Sequence, residues 1–197
     1  MDDKVIVTNR ATMLRKYGEK GVTAVEKALK ALLSADGKRG IRSRVVFLDD
    51  AAAMKKLKGK AVTNPKDPRQ AKAAVDAVFR ALGPDYLMIL GAPDVVPHQD
   101  LKNLAGDDDA VAWGDLPYAC EAPYSRNPET FIGPTRVVGR MPDLSGAREP
   151  SYLLGLLRTA AGYERRPQQE YFVYYGPSAA VINGPTPLSP RPVFGNA

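Results

Sequence analysis

The run Tyr86-Leu-Met-Ile-Leu90, broken by Gly91 and a Pro/Asp turn that leads to Pro97, constrains the fold more than any other stretch. A continuous apolar run of strand length, without polar alternation, suits a strand covered on both faces, as in a parallel sheet. Parallel strands need long crossover connections, usually helical, and the flanking sequence supplies them. Val5-Ile-Val-Thr8 reads as a first strand, followed by a basic link from Asn9 to Tyr17. From Gly21, the positions Val22, Val25, Leu29, Leu32 and Leu33 fall at helical steps, and that helix is expected to stop near Asp36-Gly37. Arg44-Val-Val-Phe-Leu48 is a second strand, Ala51 to Leu57 a short helix, and Lys58 to Arg69 a polar loop. Ala71, Ala74, Val75, Val78, Phe79 and Leu82 form another helical stripe, ended by Gly83-Pro84. The order strand, helix, strand, helix, strand predicts a three-layer α/β fold with a mostly parallel sheet flanked by helices.

Downstream, no long apolar period appears between Pro97 and Pro134, so this stretch is expected to be a loop, of the length that usually carries function. Thr135 to Arg140 reads as a further strand, Ala147 to Tyr163 as a helix and Glu170 to Tyr175 as a last strand-like run. Five prolines in the final 21 residues, with no apolar period, argue against structure there. The expected organisation is one α/β domain over residues 1–176 and a proline-rich, disordered tail over residues 177–197.

Ligands of open α/β sheets bind at the carboxyl ends of the strands, which directs attention to the segment after Pro97. It holds the only histidine, His98, and the only cysteine, Cys120. A thiolate nucleophile needs a nearby base, so the two could form a dyad, or His98 could simply bond a carboxylate in a polar turn. Asp107, Asp108 and Asp109 offer hard oxygens of the kind calcium takes, without the alternating pattern of an EF-hand loop; a solvated acidic turn is the competing reading. One cysteine and one histidine exclude a zinc site of the usual spacing. Asp115 and Tyr118 sit together near the expected strand ends, and Arg136 and Arg140 bracket a short strand. A buried Asp–Arg bridge pinning the long segment is the structural reading, since the guanidinium fork matches a carboxylate; direct substrate contact is the other.

Charge is unevenly spread. Residues 1–72 carry 18 Lys/Arg against 8 Asp/Glu, and residues 73–197 carry 10 against 14, or +10 against −4. These cations are scattered without interleaved aromatics, so nucleic acid is not the expected partner, although a basic docking surface remains an alternative function. A nucleotide-binding role lacks its glycine-rich turn after Val5 to Thr8. No apolar run approaches the roughly 18 residues of a membrane span, and the amino terminus lacks the features of a signal peptide. No membrane association and a cytoplasmic location are expected.

The ordered set Tyr86 to Pro97, Gly106 to Asp109, Asp115-Leu-Pro-Tyr118, Arg136 to Pro142 and a helix closing on Tyr163-Glu164 resembles the gingipain-like cysteine peptidases, over roughly residues 84–165. The resemblance implies a caspase-like fold and a thiol peptidase acting on a peptide or protein substrate without a cofactor. Asp115 matches the family position that helps shape the pocket for the side chain before the cleaved bond, with Gly114 in place of the usual serine. An exposed carboxylate there would favour Arg or Lys. In that family the catalytic histidine and cysteine lie beyond the Tyr-Glu helix, whereas this chain has neither after Cys120. The expectation is therefore an incomplete, amino-terminal part of such a unit, inactive alone, with His98 and Cys120 as the fallback dyad.

Overall fold

The computed structural model describes residues 2–164; the strand-like run Glu170 to Tyr175 and the proline-rich tail lie outside them. Four strands, β1 (Lys4–Thr8), β2 (Ser43–Phe47), β3 (Tyr86–Leu90) and a later strand (Val137–Met141), form one sheet in which every pairing is parallel. The two strands between β3 and that last one, β4 (Gln99–Lys102) and β5 (Val111–Gly114), pair antiparallel as a separate hairpin, so the last sheet strand is β6. The order across the sheet is β2-β1-β3-β6. Helix α1 (Arg10–Lys38) links β1 to β2, α2 (Ala51–Lys56) and α3 (Pro68–Leu82) link β2 to β3, and α4 (Ser151–Ala161) follows β6. α1 and α4 pack on each other, while α3 meets the hairpin and the 3-10 turn Leu116–Ala119. The result is the three-layer α/β arrangement expected, with Ile6, Val7, Leu87, Ile89, Val25, Leu29, Val75 and Val78 in a single core.

Three expectations are corrected. The basic link from Asn9 to Tyr17 is helical and belongs to α1, which breaks at Gly18, where φ is 67° and ψ is 176°. Its first turn is held by side chains: Asn9 Oδ1 accepts from the Thr12 N–H at 2.9 Å, and the two oxygens of Asp49 accept from the Arg10 and Ala11 N–H groups at 2.7 and 2.8 Å. Met13 and Tyr17, four residues apart, face the core. The stretch from Pro97 to Pro134 is also more ordered than a loop. It contains the hairpin and two 3-10 turns, Leu116–Ala119 and Pro128–Phe131. α4 is shorter than expected, starting after Pro150 and ending at Ala161.

α3 follows the rules its sequence sets out. Asp67 caps it by accepting from the Arg69 and Gln70 N–H groups, Pro68 occupies the first position, and Gly83 closes it in the left-handed conformation with φ of 54°. Among the described residues no helix is long and apolar enough to cross a membrane.

Candidate functional site

β3 delivers its carboxyl end into a turn that only glycine makes easily. Gly91 has φ of 111°, and a Cβ there would lie 2.8 Å from that of Val95. The Val95 and Val96 N–H groups both donate to the Ala92 carbonyl, closing a tight turn. Arg140, which pairs with Ile89 in register on β6, reaches over this turn. Its Nη1 donates to the Gly91 and Val96 carbonyls at 2.8 and 2.9 Å, while Nε and Nη2 fork onto Asp115 at 2.7 and 2.6 Å. His98 Nδ1 lies 2.9 Å from Asp115 Oδ1. Beside an ionised carboxylate that nitrogen carries the proton and donates, which leaves Nε2 as the ring nitrogen outside the pair. No hydrogen bond engages Nε2 among the described residues.

Burial pushes the Asp115 carboxyl up, but the Arg140 guanidinium and His98 outweigh it and hold the group below the usual carboxylate range. The side chains of Arg140, Asp115 and His98 are 9%, 26% and 30% exposed. The site is therefore a half-open, charge-balanced pair with an imidazole on its rim. Asp115 is shared with Arg140, and the 26% of its side chain left exposed is the part open to a basic ligand. Tyr118 lies beneath, fully buried, its hydroxyl donating to the Pro97 carbonyl at 2.7 Å. It props the turn and does not reach the surface.

Arg136 belongs to a second, interior network. Its Nη1 donates to Asp76 Oδ1 at 2.5 Å, and its guanidinium lies 4.4 Å from the Phe79 ring centre. Lys72 Nζ donates to both oxygens of Asp76 at 2.6 Å and to the Cys120 carbonyl at 3.1 Å. Two cations thus share one buried carboxylate. Lys72 and Asp76 escaped sequence reasoning because they flank an apolar stripe, where a Lys and an Asp four apart look like a solvated helix face.

Cys120 and His98 are not partners, which overturns the cysteine-peptidase reading of this chain together with the hydrolase and proteolysis expected from it. The single thiol is 2% exposed, packs with Leu101 and Phe131, and has the Phe131 carbonyl at 3.6 Å as its acceptor. Burial pushes it up, against a weaker downward pull from Lys72 and Arg136, so it is poorly ionised. His98 is engaged with Asp115 instead. Asp107, Asp108 and Asp109 lie at the hairpin tip. Asp107 accepts from Asn103 Nδ2 at 2.5 Å and from the Asp109 N–H at 3.1 Å, which organises the tip. Among the described residues no three carboxylate, histidine or cysteine groups converge as a metal site would require.

Fold and site together define a parallel α/β domain with a histidine-bearing charge network at the carboxyl ends of β3 and β6. Compared with known proteins, the chain matches no family model, no curated protein and no solved structure.

Proposed function

We propose that this chain is a non-catalytic, gingipain-like recognition domain, an incomplete caspase-type unit that presents the His98–Asp115 rim to a peptide or protein ligand. One observation carries the reading. Three of the sequence elements behind the resemblance, Tyr86 to Pro97, Asp115 to Tyr118 and Arg136 to Pro142, meet in one hydrogen-bond network: Arg140 joins the Gly91 and Val96 carbonyls to Asp115, and Asp115 also holds His98. These pieces are far apart in the sequence, and their meeting at the carboxyl ends of β3 and β6 supports reading them as one site. With its one thiol buried away from the imidazole, the domain recognises and does not cleave.

The lone histidine makes the test direct, since its imidazole protons give isolated NMR signals. Titration with a short peptide amide ending in arginine is expected to shift the His98 signals saturably, and its norleucine counterpart to shift them far less. Asp115→Asn should abolish the difference. Unmoved His98 signals refute recognition at this rim, and hydrolysis of Arg or Lys reporter peptides that disappears in His98→Ala refutes the non-catalytic role.

A further inference from the structure

α3 and the segment after Cys120 line an open hollow of about 530 Å³. Its wall is apolar, formed by Ala73, Pro123 and the ring of Tyr124. Its polar groups are almost all donors. Arg69, on the first turn of α3, lies with its guanidinium 4.9 Å from the Tyr124 ring centre and has no salt bridge among the described residues. Arg126 is anchored through Nε, which donates to the Asp100 carbonyl at 3.1 Å and lies 3.3 Å from its carboxylate, leaving the terminal nitrogens of the guanidinium unengaged. Tyr124 spends its proton on Asp100 Oδ1 at 2.8 Å. The Ser125 hydroxyl oxygen accepts from the Asn127 N–H at 3.0 Å and from Thr130 Oγ1 at 3.2 Å, so its own proton is left to donate.

Two guanidiniums and a hydroxyl proton around an apolar floor outnumber the one adjoining carboxylate, Asp100, and favour an acceptor-rich ligand. Both arginines are already positioned, one by stacking on a ring and the other by its anchor on Asp100, so binding orders less of them than it would of free side chains. Arg126 also lines a second hollow of about 630 Å³, together with Lys102, Leu104 and Glu129. Two hollows sharing Arg126 suit a chain rather than a compact ion. Lys102 and Glu129 offset each other in the second hollow, so the excess positive charge lies with Arg69 and Arg126.

We propose that this groove is a docking site for an acidic peptide segment, with one Asp or Glu carboxylate held between Arg69 and Arg126 and a neighbouring apolar side chain on Pro123 and Tyr124. It is separate from the His98–Asp115 rim and does not depend on the function proposed for that rim.

The test is fluorescence anisotropy of the full chain with a labelled Asp/Glu-rich peptide containing leucine, at low and raised ionic strength. Binding is expected to weaken with salt, to fall about tenfold in Arg69→Gln and Arg126→Lys, as loss of a charge-assisted bond predicts, and to be unaffected by Lys30→Gln on α1. The amide counterpart, with Asn/Gln in place of Asp/Glu, should bind far more weakly. Equal loss in Lys30→Gln would reduce the effect to diffuse attraction by a basic protein and overturn the proposal. So would equal binding of the amide peptide, or inorganic phosphate that competes fully with the peptide at concentrations where glutamate has no effect, because the site would then be a phosphate site. Circular dichroism on each variant separates lost binding from lost folding.

Discussion

Replacing Arg140 with methionine removes all four hydrogen bonds its guanidinium makes while keeping much of its aliphatic stem. The magnitude follows from what is left behind. Breaking a fully buried ion pair costs about 3–5 kcal/mol, because the surviving charge is stranded. Asp115 is 26% exposed and keeps His98, so water and the imidazole recover part of that, leaving about 2 kcal/mol. The Gly91 and Val96 carbonyls also lose their donor, adding about 1 kcal/mol. The expected total is about 3 kcal/mol, read as a lower urea midpoint by circular dichroism with the slope unchanged. Arg140→Lys, which restores a charge without the fork, should lie between wild type and Arg140→Met. In a double-mutant cycle with Asp115→Asn, the pair should show a coupling of about 1–3 kcal/mol. A loss below about 0.5 kcal/mol in Arg140→Met would refute the reasoning, as would strict additivity in the cycle, since either would mean the fork is a surface decoration.

The same pair shapes the acid limb of stability. Because the folded-state value of Asp115 lies below its ordinary 3.8, its contribution is fully present above 3.8 and is lost as pH falls from there through the folded value; a urea midpoint series in acid should be flatter in Asp115→Asn than in wild type. In the interior network, Lys72→Met leaves Asp76 balanced by Arg136 and is expected to change stability by no more than about 1 kcal/mol, whereas Asp76→Leu strands two cations and should cost about 3–5 kcal/mol; the reverse order in thermal or urea melts would contradict the charge count. The Cys120 thiol should react with a chromogenic disulfide reagent orders of magnitude more slowly in the native protein than in urea, and fast native labelling would contradict its burial.

Where a segment's own residues announced its environment, the sequence was enough. β1, β2, β3 and β6 are short apolar runs, and α3 carries its apolar stripe and its closing glycine, so their order and the parallel sheet were legible, although Asp67 and Pro68, which start α3, read as part of the preceding loop. α1 was legible only from Gly21. Its first turns carry Arg10, Arg15 and Lys16, and the two core residues Met13 and Tyr17 are too few to set a period. What makes that stretch helical is remote: Asp49, at the end of β2, bonds the first N–H groups. The hairpin was hidden for a related reason. β4 buries only Gln99 and Leu101, and the middle of β5 exposes Ala112 and Trp113, so neither strand carries enough alternation to stand out. At the site, the residue types drew attention to Asp115 and Arg140, but that His98 would turn to Asp115 and away from Cys120 depends on how the hairpin folds back.

Asp49 also bears on where a ligand can sit. Strand order reverses between β1 and β3, and in open α/β sheets the crevice at that reversal, with the helix N-terminus after the first strand, is the usual seat for a phosphate. Here that seat is closed from within. The Asp49 carboxylate takes the Arg10 and Ala11 N–H groups and the Asn9 side chain takes that of Thr12, so an incoming anion would find both its donors and its charge already satisfied. Evicting Asp49 would strand a carboxylate that now binds the positive end of α1, a cost a phosphate would have to exceed before gaining anything. The recognition proposed above therefore falls away from β1, at the carboxyl ends of β3 and β6. There Gly91 turns the chain, Arg140 fixes the turn, and His98 is the one group of the network with a ring nitrogen left to offer.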